Sequence, residues 1–201
     1  MPVIRREVEA SKFNRDLSLP YNLRIRDFEI AMQDVYDFLH DVNANLVGKG
    51  LRRMEDMMRP AALSGMISDM LTASLAQHAR SLTENQYFNG HPDLVQQGLY
   101  PDDSVQSGEE GVEVKTTKKR GGAVDMHGAR EQWLCVFVYE ADTKTQPAAD
   151  RAALRFGEVY LGYVEVGDFR ENDRGKLGTR TATLDRDGIA KLRESWLYLD
   201  R

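Results

Sequence analysis

Two short charged stretches, His91-Pro92-Asp93-Leu94 and the run from Gly111 to Thr117, constrain the fold more than any other part of the chain. Nineteen residues separate Asp93 from Glu113, and their midpoint, residue 103, falls in the turn-forming run Pro101-Asp102-Asp103. A chain that folds back there sets Asp93 beside Glu113 on adjacent antiparallel strands, because cross-strand partners are equidistant from the turn. The spacing therefore predicts a β-hairpin on which two carboxylates face each other.

Lys115 joins this pair because residues two apart on a strand share a face, while Val112 and Val114 point into a core. Two carboxylates with one or two waters make an oxygen cage suited to Mg2+, with Mn2+ as the alternative ion. A lysine beside them can orient or help deprotonate an attacking water, or neutralise charge on a phosphate. We therefore expect Asp93 and Glu113 as metal ligands and Lys115 as a catalytic group. The duller alternative is a solvated strand face with a weak cross-strand ion pair.

The residues Pro92-Asp93 and Glu113-Val114-Lys115 resemble the motif of the PD-(D/E)xK nuclease superfamily, which includes many type II restriction endonucleases and repair nucleases. The resemblance covers roughly residues 60–166 and implies an α/β (mixed α+β) fold with a restriction-endonuclease-like core. In that core a central mixed sheet is flanked by helices and carries the active site at one side. The activity it implies is Mg2+-dependent hydrolysis of phosphodiester bonds in duplex DNA.

Hydrophobic periodicity predicts the remaining elements. Helices are expected over 27–47, 51–58, 60–81, 147–154 and 187–193, and strands over 133–139, 159–166, 179–184 and Trp196–Leu199. We expect a single nuclease domain over 1–201. It comprises an N-terminal arm and helices at 1–59, a catalytic core at 60–166 and a C-terminal elaboration at 167–201.

Composition limits the function classes. The chain has 201 residues, 41 % of them hydrophobic, which suffices for one domain with a real core. Its net charge of -5 weighs against nucleic-acid binding, because many DNA-binding domains are basic. Cys135 is the only cysteine, so no internal disulfide can form, and we expect an inert buried thiol and a cytoplasmic location. No apolar run is long enough to span a bilayer and no signal peptide is visible, so no membrane partner is expected.

Six residues are candidates for contacting nucleic acid. A basic loop of three residues follows the hairpin and would hold phosphates if it lies beside the carboxylates, although such loops are usually just solvated. His127 follows a glycine-rich loop, and Arg130 and Gln132 lead into the predicted central strand. The full set is Lys118, Lys119, Arg120, His127, Arg130 and Gln132.

The resemblance also implies a further acid, since related nucleases often add one from the helix ahead of the hairpin. Asp69 and Glu84 are available, and Asp69 is the better candidate because it lies next to the apolar stripe of the helix over 60–81. Its alternative is a surface acid on the flank of that helix.

Three function classes remain open. The first is a restriction-type endonuclease acting as a homodimer on double-stranded DNA, with a cognate DNA methyltransferase encoded nearby; a DNA repair, resolvase-type or mobile-element nuclease shares its chemistry. The second is a non-catalytic DNA-binding module on the same fold, which the intact charged trio argues against. The third is a small α/β protein of unrelated function, for which the acidic net charge is the best support.

Overall fold

The computed structural model describes residues 3–172 and 181–200. Its α-helices are α1 (Ile25–Gly48), α2 (Met54–Met57), α3 (Pro60–His78) and α4 (Arg186–Glu194). Its strands are β1 (Leu82–Glu84), β2 (Leu94–Gln96), β3 (Gly111–Thr117), β4 (Asp125–Met126), β5 (Gln132–Glu140), β6 (Arg155–Val164), β7 (Phe169–Asn172), β8 (Thr181–Leu184) and β9 (Trp196–Leu199). Short 3-10 turns lie at Ala10–Lys12, Pro101–Asp103, Ala148–Asp150 and Val166–Asp168.

The main sheet has six strands in the order β1-β2-β3-β5-β6-β9. Strands β3 and β5 are parallel, and the other neighbouring pairs are antiparallel, so the sheet is mixed. Strands β4, β8 and β7 form a separate three-stranded sheet. The predicted combination of a mixed central sheet with several helices is therefore confirmed.

The two faces of the main sheet carry different layers. Side chains such as Val114 and Phe137 belong to the larger apolar cluster, which also contains the buried sides of α1 and α3. Leu134 and Val136 point to the other face and pack in a second cluster, which includes Leu192 of α4. Because side chains alternate along a strand, Glu113 and Lys115 belong to this second face, opposite α3.

Periodic sequence explains the long helices, and local polar groups fix their starts. The side chain of Asp27 accepts a hydrogen bond from the backbone N–H of Arg24 at 2.8 Å, and α1 then buries Phe28, Ala31 and Val35 on one side. Asp185 caps α4 by accepting from the N–H groups of Asp187 and Gly188 at 2.9 and 2.8 Å.

Several predicted boundaries are wrong. The helix expected over 60–81 ends at His78, because residues 82–84 pair with β2 as a short strand that periodicity does not reveal. Only Met54–Met57 of the helix expected over 51–58 is α-helical, and 147–154 contains just a 3-10 turn. The strand expected over 159–166 spans Arg155–Val164 instead. Residues 179 and 180 of the strand predicted over 179–184 lie outside the described residues.

The segments expected to flank the core are part of it. Helix α1 packs in the same apolar cluster as α3, and β9 forms the last strand of the main sheet. Phe13, in the predicted arm, is buried against Tyr198 with ring centroids 4.9 Å apart. Within residues 3–172 and 181–200, no helix combines the length and apolar character needed to cross a membrane.

Candidate active site

The register of β2 and β3 brings the two predicted carboxylates together. Leu94 pairs with Val112 and Val95 with Gly111, so one further step along the ladder sets Asp93 opposite Glu113. This confirms the antiparallel register of β2 and β3 that the spacing predicts. Asp93 lies just before β2 begins, where its Oδ2 accepts a hydrogen bond from the backbone N–H of Val114 at 2.8 Å.

Lys115 lies between the two carboxylates. Its Nζ is 2.5 Å from Oε1 of Glu113 and 3.5 Å from Oδ2 of Asp93. Asp93, Glu113 and Lys115 are called the carboxylate–lysine cluster below. The side chain of Glu113 is 9 % exposed, against 31 % for Asp93 and 26 % for Lys115, so the cluster opens to solvent on the Asp93 side.

His91 is a member of this site that the sequence predictions missed. Its Nδ1 lies 2.8 Å from Oε2 of Glu113, at ion-pair distance, although the ring N–H is not directed for a hydrogen bond to that oxygen. The only signal in the sequence was proximity, because His91 is two residues before Asp93.

The two carboxyl groups have different proton affinities. Burial, followed by the charge of Glu113, raises the pKa of Asp93 to about 6, and solvent moderates this because the side chain stays partly exposed. Burial alone would raise the pKa of Glu113, but contact with His91 and the charge of Lys115 outweigh it and lower that pKa to about 2. Burial opposes protonation of Lys115, yet Glu113 and Asp93 together raise its pKa.

The donor set of the cluster fits Mg2+ or Mn2+. Oxygens of both Asp93 and Glu113 already contact one cation, the Lys115 ammonium, and hard divalent cations prefer carboxylate oxygens. Among the described residues, no three His, Cys, Asp or Glu side chains are grouped so as to hold a metal ion. A metal held by Asp93 and Glu113 would therefore complete its coordination with water and substrate oxygens, as Mg2+ commonly does.

Asp69 is not part of this site, and its predicted position is wrong. Helix α3 packs on the sheet through Ser68, whose Oγ donates to the carbonyl of Val114 at 3.0 Å, and through Ser64, whose carbonyl accepts from Thr116 Oγ1 at 2.7 Å. Asp69 is on the exposed side of α3. Moreover, α3 covers the face of the sheet opposite to Glu113, so the sheet itself lies between Asp69 and the cluster.

The basic loop, Lys118 to Arg120, is not beside the carboxylates, which corrects that expectation. It follows Thr117, the last residue of β3, which is about 13 Å along the strand from Glu113. Arg120 is paired at 2.7 Å with Glu140, and the Lys118 ammonium lies 5.7 Å from the Tyr139 ring centroid. The loop therefore occupies the opposite edge of the sheet from the cluster.

Gln132 lies on the same face as Glu113. It begins β5, two residues before Leu134, and Leu134 is the neighbour of Glu113 in the β3–β5 ladder. The residue is 2 % exposed, and neither amide atom has a hydrogen-bond partner among the described residues. Since buried polar atoms are normally paired, this amide is the kind of group that a substrate or water satisfies.

The other two predicted nucleic-acid contacts are on the segment between β4 and β5. His127 is exposed directly after β4. Arg130 lies at the edge of the sheet where β5 begins, with Nη1 3.4 Å from Ser107 Oγ. The structure therefore brings Arg130 to the same edge as the cluster.

A cleft of about 540 Å3 opens at this edge, where β3 and β5 begin and β6 ends. His91 forms part of its wall, so the cleft adjoins the cluster. Three aromatic side chains also line it: Tyr21, Trp133 and Tyr163. We call this space the strand-edge cleft.

A second cavity, of about 320 Å3, is remote from the cluster. It is mainly apolar and lies between α1, α2 and residues 148–154. Two acids of its lining have partners within it: Asp56 contacts Arg53 and Arg151, and Glu55 accepts from Asn43 at 2.7 Å. Cys135, as expected, is fully buried, and burial raises the pKa of its thiol.

No family model, no curated protein and no solved structure matches this chain.

Proposed function

We propose that the protein is a metal-dependent endodeoxyribonuclease built on a restriction-endonuclease-like core. The observation that carries the proposal is the convergence of Asp93, Glu113 and Lys115, with two carboxylates from neighbouring strands around one ammonium group. A structural ion pair needs only one carboxylate for each lysine. Here a second, partly exposed carboxylate is held in place by the backbone of Val114.

In this proposal Asp93 and Glu113 would hold Mg2+, which would supply positive charge against the scissile phosphate and would lower the pKa of a water molecule. His91 lies against Oε2 of Glu113 at 2.8 Å, and Oε1 of the same carboxylate faces Lys115. The Lys115 ammonium donates to the phosphate oxygens as negative charge develops on them during attack by water. The Val114 N–H fixes the orientation of Asp93 throughout.

The proposed substrate is double-stranded DNA, and the proposed assembly is a homodimer. Cleavage of both strands needs two active sites, and a two-fold axis matches a palindromic target. A restriction role, with a cognate methyltransferase protecting host sites, is the form we favour. A repair, resolvase-type or mobile-element role shares the same chemistry and differs only in the loops that choose the target.

The test is cleavage of supercoiled plasmid with Mg2+, with Mn2+ and with excess chelator. We expect metal-dependent conversion to linear DNA or fragments and no conversion with chelator. A discrete fragment ladder supports restriction, whereas cleavage confined to branched DNA supports a resolvase role. Absence of cleavage of every DNA form with either ion, from a folded preparation, would refute the proposal.

The matched variants for this test are Asp93→Asn and Asp69→Asn. Each neutralises one aspartate at a position that keeps some exposure, but only Asp93 contacts Lys115. Activity that is lost in the first variant and retained in the second assigns the chemistry to the cluster.

A further inference from the structure

We propose that the strand-edge cleft is a subsite for one unpaired nucleobase, with preference for bases that carry an exocyclic amino group. The inference rests on the proposed function, because it takes the phosphate next to that base to lie at the carboxylate–lysine cluster. It adds a specificity that the cluster itself does not supply.

The position of the cleft makes it continuous with the cluster. His91 lines the cleft and also lies 2.8 Å from Glu113 through Nδ1. Ser107 and Gly108 form the adjoining wall, and Gly108 donates its backbone N–H to the carbonyl of His91 at 2.7 Å. Trp133 and Tyr163 lie on the sheet face opposite Glu113 and Lys115, so the cleft runs round the strand ends from one face to the other. A nucleotide whose phosphate reaches the cluster therefore presents its own or its neighbour's base at the His91 end of the cleft.

The aromatic lining suits a planar ring. Trp133 and Tyr163 are cross-strand partners whose ring centroids are 5.7 Å apart at an interplanar angle of 71°, so the two rings meet edge to face. Tyr163 is 42 % exposed and offers a free surface. Aromatic side chains stack nucleobases irrespective of sequence, and a cleft of about 540 Å3 is within the usual range of ligand sites.

The charge of the cleft disfavours the phosphate backbone and favours a base. Glu109, Glu110 and Glu131 line it, against the single arginine Arg130. The carboxylates of these glutamates repel phosphates. They accept hydrogen bonds from exocyclic amino groups, such as N4 of cytosine. Cytosine and adenine carry such a group and thymine does not, which gives the predicted preference.

The base has to be unpaired because its edge and faces are occupied within a duplex. Enzymes that act beside a single base extrude it or use single strands, and mismatched bases are the easiest to extrude.

A cationic ligand is the competing occupant of an acidic aromatic cleft. Arg130 already places one cation there, 3.4 Å from Ser107, and titration with arginine amide decides between a second cation and a base.

The test is tryptophan fluorescence in excess chelator, so that binding is measured without cleavage. Trinucleotides of cytidine, adenosine and thymidine are titrated against the full chain. We expect saturable quenching by the cytidine and adenosine forms, and binding of the thymidine form at least about 10-fold weaker. The signal should persist in Trp196→Phe, which keeps Trp133 as reporter.

Tyr163→Ala should weaken the cytidine trinucleotide about 10-fold, and Tyr163→Phe should retain its affinity. A duplex with one mismatched cytosine should bind more tightly than the fully paired duplex. Equal affinity for the three trinucleotides, or quenching by arginine amide in place of nucleotides, would overturn the proposal. Plasmid cleavage without any nucleotide-dependent quenching would refute the subsite alone, whereas quenching with no cleavage of any DNA would refute the nuclease proposal.

Discussion

Replacing Gln132 with leucine should make the protein more stable and less active. The side chain is 2 % exposed, and both amide atoms lack partners among the described residues. A buried polar group left unpaired costs about 1–3 kcal/mol, and a leucine of similar volume removes that cost. Gln132→Leu should therefore raise the free energy of unfolding by about 1–3 kcal/mol. For a chain of this length that corresponds to a melting temperature higher by about 2–12 °C.

Activity should move in the opposite direction. Gln132 shares the sheet face of Glu113, and under the proposed function we expect its buried amide to hydrogen-bond substrate or the attacking water once substrate is bound. Loss of one such bond lowers kcat/KM by about 10- to 100-fold, since each 1.4 kcal/mol is a factor of ten. The assays are thermal unfolding followed by circular dichroism, and plasmid cleavage at saturating Mg2+.

Gln33 supplies the matched control. Its amide is fully used: Oε1 accepts from the Val8 N–H at 3.0 Å, and Nε2 donates to the carbonyl of Arg6 at 3.1 Å and to Asp37 at 2.7 Å. Gln33→Leu should therefore lower stability and leave cleavage unchanged. If Gln132→Leu instead melts at a lower temperature with unchanged cleavage, the amide is a structural group and the argument fails.

Three further substitutions and one thiol titration probe the rest of the molecule. Lys115→Ala should lower cleavage by orders of magnitude with DNA affinity nearly unchanged, and wild-type cleavage by this variant would show that the motif assignment is wrong. Asp69→Asn should retain wild-type activity and Mg2+ dependence, because Asp69 is exposed and lies across the sheet from Glu113; a higher Mg2+ requirement would contradict that placement. Changing Lys118, Lys119 and Arg120 of the basic loop to alanine should flatten the salt dependence of DNA binding without altering the cleavage rate at saturating DNA. An unchanged salt dependence would show that the loop is solvated and does not contact DNA. Cys135 should resist thiol reagents until the protein unfolds, which titration with and without denaturant measures.

The pairing at the site follows from symmetry in the sequence. Asp93 and Glu113 are equidistant from residue 103, and the observed partners Leu94 and Val112 have the same midpoint. Alternation then fixes the shared face of Glu113 and Lys115 without any knowledge of the tertiary structure. A hairpin register is therefore a local property, and local properties can be predicted from sequence.

Placement across layers could not be predicted in the same way. Periodicity shows that α3 has an apolar side, yet it does not show which face of the sheet that side covers, and the position of Asp69 depends on that choice. Strands such as β1 and β4, with three and two residues, are too short for a periodic signal. The sequence did allow the basic loop to be placed correctly. Glu113 is near the start of β3 and the loop follows the end of β3, so the two lie at opposite ends of one strand.

The acidic net charge is compatible with the proposed chemistry once its distribution is considered. Glu109, Glu110 and Glu131 lie at the strand edge where Asp93 and Glu113 also lie, so these three carboxylates disfavour phosphates in direct contact with them. Under the proposed function, a divalent ion held by Asp93 and Glu113 would add its positive charge to that of Lys115 at one point of this edge. Nucleic acid would then be attracted to that point while the surrounding carboxylates keep other phosphates away. An acidic chain can thus select where on its surface a phosphodiester lies, and the position of the ion decides that place.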